Sequence, residues 1–156
     1  MNLIQKARTL LSLDHKTLLM FIEAYYSLGV ARIQKGLPFS KVAPTLGNKM
    51  GETSLTYVPA HAEILQSVSK SLETMSRYTF WESKCLVMAI AGIRMLERRG
   101  IESTLYMATK RDPEGKMKAH AWLRSGLYVV TGANGKEGYT VVATFAKRME
   151  EQKGEK

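Results

Sequence analysis

The spacing of apolar residues changes once along the chain, close to Gly100. Before that point they recur every three or four positions, which is typical of amphipathic helices; after it they alternate with polar residues, which is typical of strands. Three helices are therefore predicted in the first part. The first runs from about His15 to Gln34 after a capping Asp14, the second from about His61 to Arg77, and the third from a capping Ser83 to Gly100.

Four strands are predicted after the change, over residues 103–109, 118–124, 127–131 and 139–145, with turns at 111–116 and at Ser125-Gly126. Helices followed by an antiparallel sheet indicate an α+β fold. Residues 36–60 contain several prolines and glycines, so short turns and extended pieces are expected there. Gly92, inside the third helix, predicts the close approach of another backbone, since glycine costs about 1 kcal/mol relative to alanine at such a position.

The length of 156 residues predicts one domain over 1–156. Its helical part is expected over 1–80, and the third helix with the sheet over 81–146. A charged tail over 147–156 is expected to fray. The broad apolar face of the first predicted helix is explained equally well by core packing and by a partner surface.

The net charge of +9 favours an acidic peptide or protein as partner. The basic residues are spread out and are not interleaved with the aromatic platforms that single-stranded nucleic acid needs, so no nucleic-acid partner is expected. The first residues carry charge within their apolar run, unlike a signal peptide. No segment suits a membrane span, and a single cysteine fits the cytoplasm, where we expect the protein.

Two side chains are candidates for nucleophilic chemistry, Cys85 and His120. Cys85 falls in the first turn of the third predicted helix, where free N–H groups and the helix dipole stabilise a thiolate. His120 lies in the second predicted strand, on the same face as Trp122 and Arg124. A cysteine at a helix start presented to a histidine on a strand is the arrangement of papain-like and transglutaminase-like enzymes. A buried structural cysteine with a structural histidine is the alternative.

From Trp81 to Phe145 the chain resembles the lasso peptide leader peptidases, small cysteine proteases of the transglutaminase-like superfamily that form the peptidase half of a split maturation protein. The resemblance extends to the leucine-rich N-terminal region. The residues that carry it are Cys85-Leu86-Val87-Met88-Ala89, Leu96-Glu97-Arg98-Arg99-Gly100-Ile101, Ser103-Thr104-Leu105-Tyr106, His120-Ala121-Trp122-Leu123-Arg124, Val130-Thr131-Gly132 and Gly138-Tyr139-Thr140-Val141-Val142.

The resemblance implies a papain-like or transglutaminase-like core, with the cysteine-bearing helix packed on an antiparallel sheet. It also implies Cys85 as nucleophile and His120 as its base. The implied partners are the leader region of a precursor peptide, a leader-recognition protein and a macrolactam synthetase. No cofactor is expected, and no metal, because His15 and His61 lack ligand spacing. The same pair could instead serve acyl transfer to an amine, and a basic binding module is the non-enzymatic alternative.

The sequence does not identify the third catalytic group, because Thr131 and Gly132 occupy the place where the family commonly has an acidic residue. A two-residue turn at Ser125-Gly126 would pair His120 with Thr131. Asn134 is then the nearest polar side chain beyond Gly132, and its amide oxygen could accept the ring N–H. Asn134 is therefore the predicted third member, with Thr131, a backbone carbonyl and Glu137 as alternatives.

Overall fold

The computed structural model describes residues 2–149, and the elements and contacts below are those of this part of the chain. The helices are α1 (Leu3–Leu11), α2 (His15–Lys35), α3 (Phe39–Leu46), α4 (Ala62–Ser76) and α5 (Cys85–Glu97), with a short 3-10 helix at Pro59–His61 before α4. The strands are β1 (Asn48–Lys49), β2 (Ser103–Arg111), β3 (Met117–Ser125), β4 (Tyr128–Thr131) and β5 (Thr140–Lys147).

The strands form one antiparallel sheet in the order β1-β5-β2-β3-β4. Helices α4 and α5 pack on one face of this sheet, and α2 packs across both of them. The core lies between these layers and is built from aliphatic side chains of α5 with inward-facing residues of the sheet, such as Leu105, Leu123 and Phe145. The predicted α+β fold is confirmed.

A charged pair ties α2 to the turn directly after α5. Both terminal nitrogens of Arg99 donate to the carboxylate of Glu23, over 2.8 and 2.7 Å, and Arg99 also donates to the carbonyl of Met95. The hydrogen bonds from Arg99 lower the pKa of Glu23 below its ordinary value, against the opposing effect of burial. This pair fixes the position of α2 relative to the cysteine-bearing helix.

The regular structure extends further than the apolar pattern predicts. Helix α1 lies before the first predicted helix, where the side chain of Gln5 accepts from the backbone N–H of Asn2 in a capping box. Helix α3 and strand β1 occupy part of the region expected to form turns. Helix α3 contains Pro44, and its buried Val42 and Leu46 stabilise it through packing that local propensity does not register.

Two local expectations at α5 are wrong. The N-cap residue is Lys84, and Ser83 does not cap the helix, because its hydroxyl lies 2.9 Å from that of Thr79. The close neighbour of Gly92 is a side chain, since a Cβ there would lie 2.6 Å from Cδ2 of Leu123. A missing side chain on α5 therefore lets β3 approach the helix.

The C-terminal region differs from the predicted tail at its start, because β5 continues to Lys147. The last residues of that tail, 150–156, lie outside the described residues. Between residues 2 and 149, no helix has the length and apolar character needed to cross a membrane.

Candidate active site

Cys85 is the first residue of α5, so its predicted place in the first turn is confirmed. Met88 is the first residue of α5 whose N–H bonds back along the helix, to the carbonyl of Lys84. The three N–H groups before it lie at the positive end of the helix dipole and have no partner within the helix. The side chain of Cys85 is half-buried and packs against the core. These N–H groups can stabilise a negative charge on the sulfur or on an oxygen beside it.

Trp81, four residues before Cys85, belongs to the helical layer. Its ring packs edge-on against Tyr25, with centroids 5.2 Å apart, and against Phe80 at 4.6 Å. An added Cβ at Gly29 would be 3.5 Å from the same ring. The indole Nε1 is buried without a hydrogen-bond partner among the described residues. These contacts favour a core role for Trp81.

His120 lies in the middle of β3, and its ring is on the face predicted for it. Ala121 and Leu123 point into the core beneath α5, and Trp122 alternates with them on the other face. The ring of His120 lies 5.9 Å from that of Trp122 and 5.4 Å from that of Tyr139. The imidazole is thus held between two aromatic rings on the face away from α5.

The partner of the imidazole is a backbone carbonyl. Nε2 of His120 lies 2.9 Å from the carbonyl oxygen of Gly132. Because a carbonyl oxygen only accepts, the proton is on Nε2, and Nδ1 is left as the basic nitrogen. This bond matches the backbone alternative for the third group. Asn134 is exposed, and no hydrogen bond of the described residues joins it to His120. The catalytic role predicted for Asn134 therefore rests on the sequence and has no support from a contact among the described residues.

The other two alternatives also lack a bond to the imidazole within the described chain. Thr131 is buried, and its Oγ1 has no partner there. Its methyl group points toward Gly92 of α5 and so lies on the core side of the sheet. Glu137 is exposed in the loop between β4 and β5. The geometry therefore favours Gly132 over all three side chains as the group that orients His120.

The predicted register of the β3–β4 hairpin is wrong. Ser125 pairs with Tyr128, so the turn residues are Gly126 and Leu127, and Thr131 lies opposite Leu123, not His120. The register shifts at a bulge between Leu123 and Arg124. Gly126 adopts φ +55°, a conformation that favours glycine in such turns. Arg124 also donates to the carbonyl of Gly126 over 2.8 Å, which stabilises this turn.

Arg124 organises the polar end of the outer face, a role that the sequence pattern does not reveal. Its side chain is buried and donates to the carbonyls of Thr53 and Ser54, both over 3.1 Å. It also donates over 3.0 Å to the hydroxyl of Tyr106, which itself donates to Glu52 over 2.9 Å. Burial raises the pKa of Tyr106. These bonds fasten the segment before α4 to β2 and β3 and support Trp122, which stacks on Tyr106 with ring centroids 5.3 Å apart.

Cys85 and His120 are placed on elements that pack together, since α5 contacts β3. Within residues 2–149, no hydrogen bond joins Sγ of Cys85 to the imidazole. A reaction that uses both groups needs them to approach each other in the substrate complex. Because the imidazole lies on the face of the sheet away from α5, the structure does not bring the two side chains together.

The structure thus combines a helical layer, with a thiol at the start of α5, and an antiparallel sheet that carries a histidine; enzymes that form a covalent acyl intermediate on cysteine use these two residue types. Comparison with known families agrees at this level. The family described as the transglutaminase-like superfamily matches residues 29–144, so the chain belongs to that superfamily, which includes cysteine proteases and acyltransferases. No curated protein and no solved structure matches the chain.

Proposed function

We propose that the protein is a cytoplasmic cysteine peptidase that removes the leader from a lasso precursor peptide. The observation that carries the proposal is the position of Cys85 as the first residue of α5 in a transglutaminase-like chain. The resemblance of residues 81–145 to the leader peptidases supports a lasso precursor peptide as the substrate. In this proposal a leader-recognition protein delivers the precursor, and a macrolactam synthetase closes the ring on the released core peptide.

In the proposed mechanism, Nδ1 of His120 takes the proton of the Cys85 thiol. The thiolate attacks the scissile carbonyl carbon, and N–H groups of the first turn of α5 stabilise the oxyanion. The C–N bond breaks as the imidazolium protonates the leaving amine, which leaves a thioester on Cys85. Water, deprotonated by the imidazole, hydrolyses the thioester and restores the thiol. The hydrogen bond from Nε2 to Gly132 keeps the ring oriented through both steps.

Acyl transfer is the second candidate, and membership of the superfamily supports it, since acyltransferases share the fold. The two reactions have the same thioester and differ only in what attacks it. Incubation with precursor peptide and an excess of a primary amine, followed by mass spectrometry, separates them. We expect the leader to end in a free carboxylate; an amide of the added amine would identify acyl transfer.

The decisive variants are Cys85→Ala and Cys85→Ser, assayed with precursor peptide and the recognition protein. We expect both to lower the cleavage rate more than a thousandfold, because the thiolate makes the covalent intermediate. Thermal unfolding should change little, since Cys85 is only partly buried. Cleavage near the wild-type rate by either variant would exclude Cys85 as nucleophile.

Alkylation tests the non-catalytic alternative. In the folded wild-type protein, iodoacetamide at neutral pH should modify Cys85 faster than it modifies a small free thiol, because the helix N-terminus favours the thiolate. Cys85→Ala serves as the blank, since Cys85 is the only cysteine of the chain. A slower reaction than with the free thiol would favour a basic binding module with a structural cysteine.

A further inference from the structure

The hairpin of β2 and β3 places two lysines directly opposite each other beside His120. Lys110 pairs with Lys118, and Ala108 pairs with His120 two residues along each strand. Side chains two residues apart on a strand share a face, so both lysines lie on the face that carries the imidazole. Like charges directly opposite each other in an antiparallel pair destabilise the sheet. Two lysines of like charge therefore occupy opposite positions of the hairpin beside His120.

A third lysine comes from the loop between β4 and β5. Nζ of Lys136 lies 5.8 Å from the ring centroid of Trp122, and Nζ of Lys110 lies 4.3 Å from that of Tyr139. These are the two rings that hold the imidazole of His120 between them. Each is thus covered by an ammonium group. We call Lys110, Lys118 and Lys136 the lysine cluster.

The charge of the lysine cluster is only partly balanced by neighbouring acids. Lys118 lies 3.9 Å from Asp112, whose other carboxylate oxygen accepts the N–H groups of Glu114 and Lys116 in the hairpin turn. Between residues 2 and 149, neither Lys110 nor Lys136 is within ion-pair distance of a carboxylate. Glu114 and Glu137, the other acids of the hairpin turn and the β4–β5 loop, are exposed and form no ion pair with described residues. The surface beside His120 is therefore positive.

We propose that the lysine cluster is a subsite for an acidic side chain of the peptide substrate, an inference that rests on the proposed function. The aspartate or glutamate would belong to the segment that crosses the outer face of β3 next to His120. Lysines held over aromatic rings lose less side-chain freedom on binding than free ones, and the rings of Trp122 and Tyr139 provide apolar walls beside the carboxylate. The subsite selects for charge in the peptide segment that lies beside His120.

A short peptide segment fits this surface better than single-stranded nucleic acid. Base stacking needs open aromatic faces. Trp122 already stacks on Tyr106 with an interplanar angle of 8°, and lysines lie over Trp122 and Tyr139. A side-chain carboxylate needs only the ammonium groups and a gap beside them. Single-stranded RNA is therefore the competing ligand in the test.

The test measures binding to the Cys85→Ala protein, which does not turn substrate over. The probes are two short fluorescent peptides, one with two aspartates and the other with two asparagines at the same positions. Fluorescence anisotropy measures the binding of each. We expect about fivefold tighter binding of the aspartate peptide, as for partly exposed ion pairs, and loss of this preference in 0.5 M salt. The double substitution Lys110→Gln/Lys136→Gln should reduce the preference to about one.

Two further variants make the result specific. Lys70→Gln removes the same charge from an exposed position on α4 and should leave the fivefold preference unchanged. Lys110→Glu/Lys136→Glu should reverse the preference toward a peptide with lysines at the two varied positions. Lys110→Gln should melt within a few degrees of its parent, because relief of the repulsion with Lys118 offsets loss of the contact with the Tyr139 ring. This stability readout confirms that the variant folds.

Three results would overturn the inference. The first is equal affinity of the Cys85→Ala protein for the two peptides. The second is a loss of preference in Lys70→Gln as large as in Lys110→Gln/Lys136→Gln. The third is tighter binding of a short single-stranded RNA than of the aspartate peptide. None of these requires cleavage to occur. Failure of the wild-type protein to cut precursor peptide would instead contradict the proposed function, so the two failures are distinguishable.

Discussion

At the scale of single residues, the imidazole of His120 depends on a glycine carbonyl for its orientation. Gly132 adopts φ +73°, a left-handed conformation that other residues rarely occupy. A Cβ at this position would also collide with the carbonyl oxygen of Ala121 and the side chain of Trp122. Both its backbone conformation and its lack of a side chain therefore place the Gly132 carbonyl next to Nε2.

Replacing Gly132 by alanine should lower kcat/KM for leader cleavage about ten- to a hundredfold, as loss of a group that orients a catalytic histidine does. Asn134→Ala is the matched control in the same loop. It should stay within about threefold of wild type, because the ring N–H already has the Gly132 carbonyl. The measurement is the pH profile of kcat/KM for both variants. A larger loss in Asn134→Ala than in Gly132→Ala would assign the third role to the amide.

At the scale of elements, α2 holds the cysteine-bearing helix through the pair of Glu23 and Arg99. The pair is largely buried, and removal of one partner leaves the other without its charged hydrogen bonds. By contrast, the pair of Glu73 and Arg77 at the C-terminal end of α4 is exposed. Exposed pairs contribute little to stability because water screens them.

Glu23→Gln should therefore lower the free energy of unfolding by about 1–2 kcal/mol at pH 7, and Glu73→Gln by less than about 0.5 kcal/mol. The folded-state pKa of Glu23 is lowered, so its contribution is complete above the ordinary carboxyl range and is lost as pH falls through the lowered value. Urea unfolding at pH 7 and near pH 3 measures both effects. A Glu23→Gln deficit that does not shrink in acid would contradict this assignment.

At the scale of the whole molecule, the described chain consists of the helical layer and the sheet that position Cys85 and His120. The proposed recognition partner would supply affinity for the leader. Delivery by such a partner raises the effective concentration of the substrate without changing the chemistry.

The isolated protein should accordingly cleave precursor peptide slowly at low micromolar concentration, and the recognition protein should raise the rate more than tenfold. The measurement is the rate of leader release with and without partner, with Cys85→Ala as the blank. The stimulation should fall when precursor concentration is raised well above its affinity for the complex. Full activity on precursor alone would show that this chain binds the leader by itself.

The sequence predicted the elements best where the apolar pattern is long and its ends are marked. Asp14 caps α2 as predicted and accepts from Thr17, and the four main strands lie within two residues of their predicted ends. Helix α3 escaped prediction because its stability comes from contacts with distant residues, such as the edge-on contact of Phe39 with Phe145, 6.0 Å between ring centroids. Local propensity does not contain such contacts.

The sequence by itself determined the α+β order, the position of Cys85 in the first turn of its helix and the strand face of His120, because each follows from the local spacing of apolar residues. Only the tertiary structure decided which group meets the imidazole. The turn at Gly126-Leu127 and a bulge in the β3–β4 pairing together place Thr131 opposite Leu123, while the Gly132 carbonyl lies within hydrogen-bonding distance of Nε2. The tertiary structure also placed Lys110, Lys118 and Lys136 on one surface beside His120. Register and loop path depend on pairing between distant segments, which the local pattern does not specify.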